Sequence, residues 1–349
     1  MELIWGIRLN EVLLLLKQIG LAILGAAALW GFVFSIRDVR RRQPKNWIID
    51  DWLSMQLFNL FLIGTAISSV AFFASLPTIR ALAHEGVAVA ATLPEIISTF
   101  PLMNGLYIFL ILITCLMMLF RVSKEEKFSY LLTPFFAIAF LMAFIMTSLS
   151  AWRGALDSVQ IFHFMHGFHS IFTLGSVIVL DFLFLISYRS ELLKQHVYSL
   201  FPAISKVIWA GLSLDFLSVF LISEYFVVTE KFLFVQTVIA ILIINGALLS
   251  GPIARKMMNS IKDHVHPITA NWRRAGNIAG ALSITSWITI TTVDFFRDLT
   301  LNYMELIWLY LGFFTLALVG HLLFEYIESQ KGPLTLSNEE IYVVVPVRK

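Results

Sequence analysis

The chain has 349 residues and a formal net charge of +2. It is 58% hydrophobic and only 14% charged, with a mean hydropathy of +0.82. A soluble domain is typically about a quarter charged and just under half apolar, so this composition excludes a soluble globular protein and points to a polytopic membrane protein. The net charge itself says little, because in a membrane protein the placement of charge matters more than its sum. No nucleic-acid partner is expected. The single cysteine, Cys115, lies in an apolar run. One cysteine excludes an intrachain disulfide, a four-cysteine iron–sulfur cluster and a cysteine zinc site.

A membrane span needs ~20 apolar residues, because in lipid a helix must satisfy its backbone groups internally. In chain order, nine segments qualify: about 13–36, 52–76, 102–120, 129–151, 160–187, 206–225, 231–250, 276–296 and 303–325. The first is preceded by Glu11 and Lys17, which argues against a cleavable signal peptide. Between the second and third, residues 77–101 hold Pro77, Gly86, Pro94 and Pro101 with Arg80, His84, Glu85 and Glu95. This stretch is expected to be an interfacial loop with a short helix, or a re-entrant segment. The first four spans form an N-terminal bundle over 1–155, and the next five a module over 156–328. Residues 329–349 form a polar tail ending in the β-prone "IYVVVPV", expected to be a loosely ordered end or a strand donor to a partner.

Orientation follows from lysine and arginine. With the amino terminus outside, the cytoplasmic side receives "RDVRRRQPK" (37–45), loops 121–128, 188–206 and 251–275, and the tail. Those segments hold 19 of the 25 basic residues, and Arg8, Lys17, Arg80, Arg153, Lys231 and Arg297 remain outside. The bias holds loop by loop and fixes the topology expected for a bacterial inner membrane, with the carboxyl terminus cytoplasmic. The chain has no P-loop, no dinucleotide-binding glycine fingerprint and no HExxH zinc pair.

Polar side chains within spans are costly and are functional candidates. The fifth span opens "IFHFMHGFHSIF", with His163, His166 and His169 three residues apart, and carries Asp181 twelve residues later. At ~100° per residue, steps of three drift by ~60°, so adjacent histidines can share a partner but all three cannot converge. His163 falls at the outer interface, His166 and His169 progressively deeper, and Asp181 near the cytoplasmic edge. Asp215, in "WAGLSLDFLSVF", lands near the midplane at about the depth of His169. A His169–Asp215 pair would serve as a proton carrier, as a carboxylate orienting a ligating imidazole, or as a structural pair. His321, in "ALVGHLLFEY", sits near the cytoplasmic end of the last span, at a depth where it could meet Asp181. Asn245–Gly246 and "SITSWITITT" (283–292) read as interhelical glue. His169 and His321 differ in depth by more than ~10 Å on a 1.5 Å rise, so they cannot ligate one iron. A haem would therefore need one histidine with another ligand, or an open position.

Residues 160–296 carry the pattern "FHFMHGFHSIFTLGSVIVLDFLF", "LFPAISKVIWAGLSL", "FVQTVIAILIINGALLSGPIARKM" and "AGNIAGALSITSW". This pattern resembles a family of bacterial inner-membrane proteins that is similar to the four-helix module of copper-resistance D-type proteins and HemJ-type protoporphyrinogen oxidases. The resemblance implies a helical fold and a haem or metal site on His166 or His169. The chain departs from the oxidases at Asp181 and Phe182, where they have an arginine and a histidine, and at Gln236, where they have a lysine.

Three functions are expected. The first is a redox-associated membrane subunit, binding haem b through His166 and His169 or a metal ion at His163 and His166, with Asp215 as proton relay. The second is a proton-coupled permease for a metal ion or small solute, with His169, Asp215, Asp181 and His321 along the path. The third is a non-catalytic anchor that binds other membrane subunits.

Overall fold

The structure is a computed structural model that describes residues 9–40, 44–84, 93–123, 128–151, 161, 164–165, 168–187, 191–222, 229–262, 270–296 and 300–330. Among the described residues the chain is all-helical, with no strand. The helices are α1 (Leu9–Arg40), α2 (Pro44–His84), α3 (Leu93–Val122), α4 (Phe128–Ala151), α5 (Ser176–Ser187), α6 (Glu191–Ile222), α7 (Glu230–Leu248), α8 (Ala254–Lys262), α9 (Ala270–Phe295) and α10 (Tyr303–Gln330). A π-helical turn, Ile171–Gly175, leads into α5, and a second, Leu249–Ile253, joins α7 to α8.

Eight helical segments are long and apolar enough to cross a membrane: Glu11–Ile36, Trp52–Leu76, Pro101–Val122, Tyr130–Ser150, Phe168–Ser187, Val197–Leu214, Glu230–Met257 and Tyr303–Ile327. The expected eighth span, 276–296, is present as helix α9 but is not among these eight. Its hydroxyl-rich middle lowers its hydropathy, and packing explains why it can be so polar. Around α9, Ala279, Ala281, Trp287, Ile290 and Val293 are buried together with Asn277, Thr285, Ser286 and Thr289. A helix enclosed by protein does not need an apolar surface for lipid.

Residues 77–101 differ from expectation. The second helix continues through Pro77 to His84, and α3 begins at Leu93, so only 85–92 lie outside the described residues. Pro94 stands in the first turn of α3, where a missing N–H costs nothing. Pro101 lies inside α3, and prolines are tolerated within membrane helices.

By packing, apart from the chain ends, the chain groups into one unit of Asn10–Val179 with Ala210–Glu224, and another of Leu180–Trp209 with Tyr225–Ser337. In the first, α1 is the central helix, with Leu21, Leu24, Ala26, Ala27 and Ala28 wholly buried. Small residues let other helices close onto it. A Cβ on Gly64 would strike the Leu24 backbone nitrogen at 2.6 Å, and one on Gly175 would overlap the Ala22 carbonyl oxygen. Phe58 and Phe61 of α2 meet Phe128 and Phe135 of α4 in edge-on ring contacts. In the second unit, Phe234, Val235 and Val238 of α7, Ile290 and Val293 of α9, and Leu306 and Tyr310 of α10 form one buried cluster.

Candidate functional site

α10 presents two very different faces. Trp308, Leu316, Val319 and Leu323 are each more than half exposed, as suits a helix surrounded by lipid. Leu306, Tyr310, Phe314, Ala317, His321 and Glu325 recur at three- and four-residue steps and form the less exposed seam. His321 and Glu325 therefore belong to the face turned toward the rest of the unit.

Opposite this seam, α9 has Gly280. A Cβ at Gly280 would lie 3.5 Å from Asp181 Oδ1 and 3.7 Å from His321 Cε1. The missing side chain is thus the space on which α5, α9 and α10 converge with a carboxyl group and an imidazole. Asp181 Oδ2 and His321 Nδ1 are both buried without a hydrogen-bond partner. Buried polar atoms are paired in more than nine of ten cases, so two orphans around one notch call for a functional or hydration explanation. One turn beyond His321, Glu325 Oε2 accepts a hydrogen bond from Asn277 Nδ2 at 2.5 Å. Asn277 lies three residues before Gly280, so both contacts come from the same stretch of α9.

Hydroxyl and amide bonds fix the frame around this notch. Asn245 Nδ2 of α7 donates to the Ala279 carbonyl at 2.8 Å, adjacent to Gly280. The hydroxyls of Ser286 and Tyr310 lie 2.9 Å apart and tie α9 to α10 two turns further along. Their role as interhelical glue follows the sequence pattern, since such bonds replace exposure of polar groups to lipid.

The structure brings Asp181 and His321 to one point. His163 and His166 lie outside the described residues. His169 is helical, and its carbonyl accepts from Thr173 Oγ1 at 2.5 Å within the first unit. Asp215 lies on α6, but its side chain is outside the described set. Gly211, one turn before Asp215, comes within 2.6 Å of Thr173 Cγ2, measured from a built Cβ. The backbone stretches carrying His169 and Asp215 are thus packed neighbours. Among the described residues, no group of three or more His, Cys, Asp and Glu side chains is arranged to hold a metal ion.

Gly280, Asn277 and Glu325 were not singled out from the sequence, although a signal for each exists. "GNIAG" (276–280) is a small-xxx-small motif that marks close helix approach. "HLLFE" places Glu325 four residues after His321, on the same face. The first unit adds a polar seam the sequence reading also passed over. Lys17 Nζ donates to Ser150 Oγ at 3.4 Å, Gln18 Nε2 to Ser170 Oγ at 3.0 Å, and Trp30 Nε1 to Ser176 Oγ at 3.1 Å. These bonds join α1 to neighbouring helices and read as structural pairing.

No protein-family model matches the chain, and neither a curated protein nor a solved structure matches it.

Proposed function

We propose that this is a proton-coupled permease of a bacterial inner membrane, in which Asp181 and His321 exchange a proton across the notch at Gly280. The observation that carries this reading is that Asp181 and His321, each with an unpartnered buried atom (Oδ2 and Nδ1), both approach one glycine, through Oδ1 and Cε1. A carboxyl and an imidazole are the side chains best suited to hand protons on inside a membrane, and such groups are kept there at a cost. Water in the notch would bridge the two, because each offers one unsatisfied polar atom. Glu325, held by Asn277, stands between His321 and the end of α10 and provides the next acceptor. Asp181 gives the proton from its carboxyl oxygen to His321 Nδ1, the imidazolium releases its other ring proton from Nε2, and Glu325 accepts that proton and delivers it to the cytoplasmic surface.

In the proposed topology α9 is the eighth of nine crossings, with the amino terminus outside and the carboxyl terminus in the cytoplasm. The loop-by-loop lysine and arginine bias supports it.

A hydrophobic carbodiimide tests the core of this reading, because it modifies a protonated carboxyl group in an apolar site. The expected result is an adduct on Asp181 whose yield rises as pH falls, with the pH dependence displaced in His321→Gln. No adduct on Asp181, or an adduct indifferent to His321→Gln, would overturn the proton-exchange reading. Dye-loaded vesicles then test transport: a potential-driven proton flux present in the wild type should disappear in Asp181→Asn.

A further inference from the structure

The helical run from α7 through the second π turn into α8 changes character along its exposed side. Over the second half of α7, after Gln236, the exposed residues are small or aliphatic: Ala240, Ile243, Ile244, Ala247 and Leu248. Beyond the turn they are Arg255, Lys256 and Asn259. Leu248 and Arg255 are seven residues apart, about 10 Å of helix rise, which matches a passage from hydrocarbon to headgroup level. The apolar segment itself ends at Met257.

The start of α9 completes the surface. On the inner side of α8, Met257 is buried against α9, its Cε 2.7 Å from the point where a Gly276 Cβ would stand. Ile253 supports the same contact from one turn earlier, at 4.0 Å. This packing turns the opposite side of α8 outward. Lys256 Nζ lies 6.0 Å over the ring of Trp272, and Arg274 is exposed two residues further along α9. Neither 249–262 nor 270–277 contains Asp or Glu. The acid facing this end of α9 is Glu325, which is engaged by Asn277. Arg255, Lys256 and Arg274 thus make a basic ledge on two packed helices, beside a tryptophan of the type enriched at membrane interfaces.

We propose that this ledge binds the headgroup of an anionic phospholipid, with the acyl chains lying along the aliphatic side of α7. The partner follows from charge and from position. Among the described residues the ledge presents three cations with no carboxylate paired to them, and it directly continues a lipid-facing surface. A headgroup phosphate is therefore the anion that reaches it without leaving the bilayer. A zwitterionic lipid lacks the net charge that would favour it, since each basic residue near an anionic surface contributes through net electrostatic attraction. The tryptophan restricts Lys256 through its cation–π contact and so orients that cation over the interface.

The test is native mass spectrometry of the full chain released from detergent containing equal amounts of phosphatidylglycerol and phosphatidylcholine. The wild type is expected to retain phosphatidylglycerol in preference, and Arg255→Gln with Arg274→Gln to reduce that preference by roughly fivefold per charge removed. Lys206→Gln, an exposed basic residue on α6, should leave it unchanged. Equal retention of the two lipids by the wild type overturns the proposal, as does an undiminished preference in the double variant. A photoactivatable phosphatidylglycerol gives an independent reading on the unmodified protein. Crosslinks should fall within 249–277, and crosslinks spread evenly over all basic segments would overturn the assignment.

Discussion

Gly280 illustrates how much one absent side chain decides. An alanine there would touch Asp181 and His321 at ordinary van der Waals distances, 3.5 and 3.7 Å, without forcing either aside. Alanine also favours a helix interior over glycine by about 1 kcal/mol. Gly280→Ala is therefore expected to leave thermal stability equal or slightly raised while weakening proton exchange, because it occupies the space for bridging water. Gly280→Val should abolish exchange. A melting curve and carbodiimide labelling of Asp181 on the same preparations check this, and loss of folding in Gly280→Ala would contradict the geometry. Asp181→Asn keeps the shape and removes the titrating group, so it should melt like the wild type and show no proton flux. Asp181 and His321 could be picked out from the sequence because polar residues stand out in apolar spans. Glu325 was hidden because it sits close to the polar end of its helix, where a carboxylate is ordinary.

The elements divide into helices that meet lipid and helices that meet protein. α10 exposes Trp308 and Leu316 widely, whereas α1 and α9 are mostly buried. Hydropathy finds the first kind readily and misses α9, where Asn277 and Ser286 bond to Glu325 and Tyr310 of α10. Ser286→Ala should cost only about 0.6 kcal/mol, the typical value of an interhelical hydrogen bond in a membrane. Gly175→Ala should cost more, about 1–3 kcal/mol for overpacking, because the new methyl meets the Ala22 backbone carbonyl, which cannot rotate away. Gly312→Ala, with nothing within 4 Å, should be neutral or stabilising. Melting temperatures of the three variants, measured side by side in one detergent, give the order directly. A Gly175→Ala protein as stable as Gly312→Ala would show that α1 and the π turn do not pack this closely. The prolines mark another limit of local pattern. Pro77 and Pro101 read as loop signals, yet the helices run through both. In lipid a helix is the structure that keeps most backbone groups bonded, so it outlasts the local cost of a proline.

For the whole molecule, the proposed nine-span topology places 37–45 and 121–128 on the cytoplasmic side. Single cysteines introduced in those segments, in a Cys115→Ala background, should be shielded from an impermeant thiol reagent in intact cells. A cysteine near Arg153 should be labelled. Labelling on the same side for all of them would refute the topology. An oxidised-minus-reduced optical spectrum with metal analysis separates the permease from the redox reading based on His166 and His169. The permease reading expects a colourless, metal-free protein, and a Soret band lost in His169→Ala would replace it with a haem protein.

The sequence by itself determined the all-helical class and most of the helices long and apolar enough to cross a membrane, because both follow from length and hydropathy along the chain. It also supplied the basic bias on which the topology rests. It could suggest that Asp181 and His321 share a depth, since depth along a helix is a matter of counting residues. Only the tertiary structure decided that Gly280 lies beside both, that α9 is largely buried, and that Met257 on Gly276 turns Arg255 and Lys256 outward. Those facts depend on how helices rotate and approach one another. Small residues and interhelical hydrogen bonds set that rotation, and no single segment encodes it.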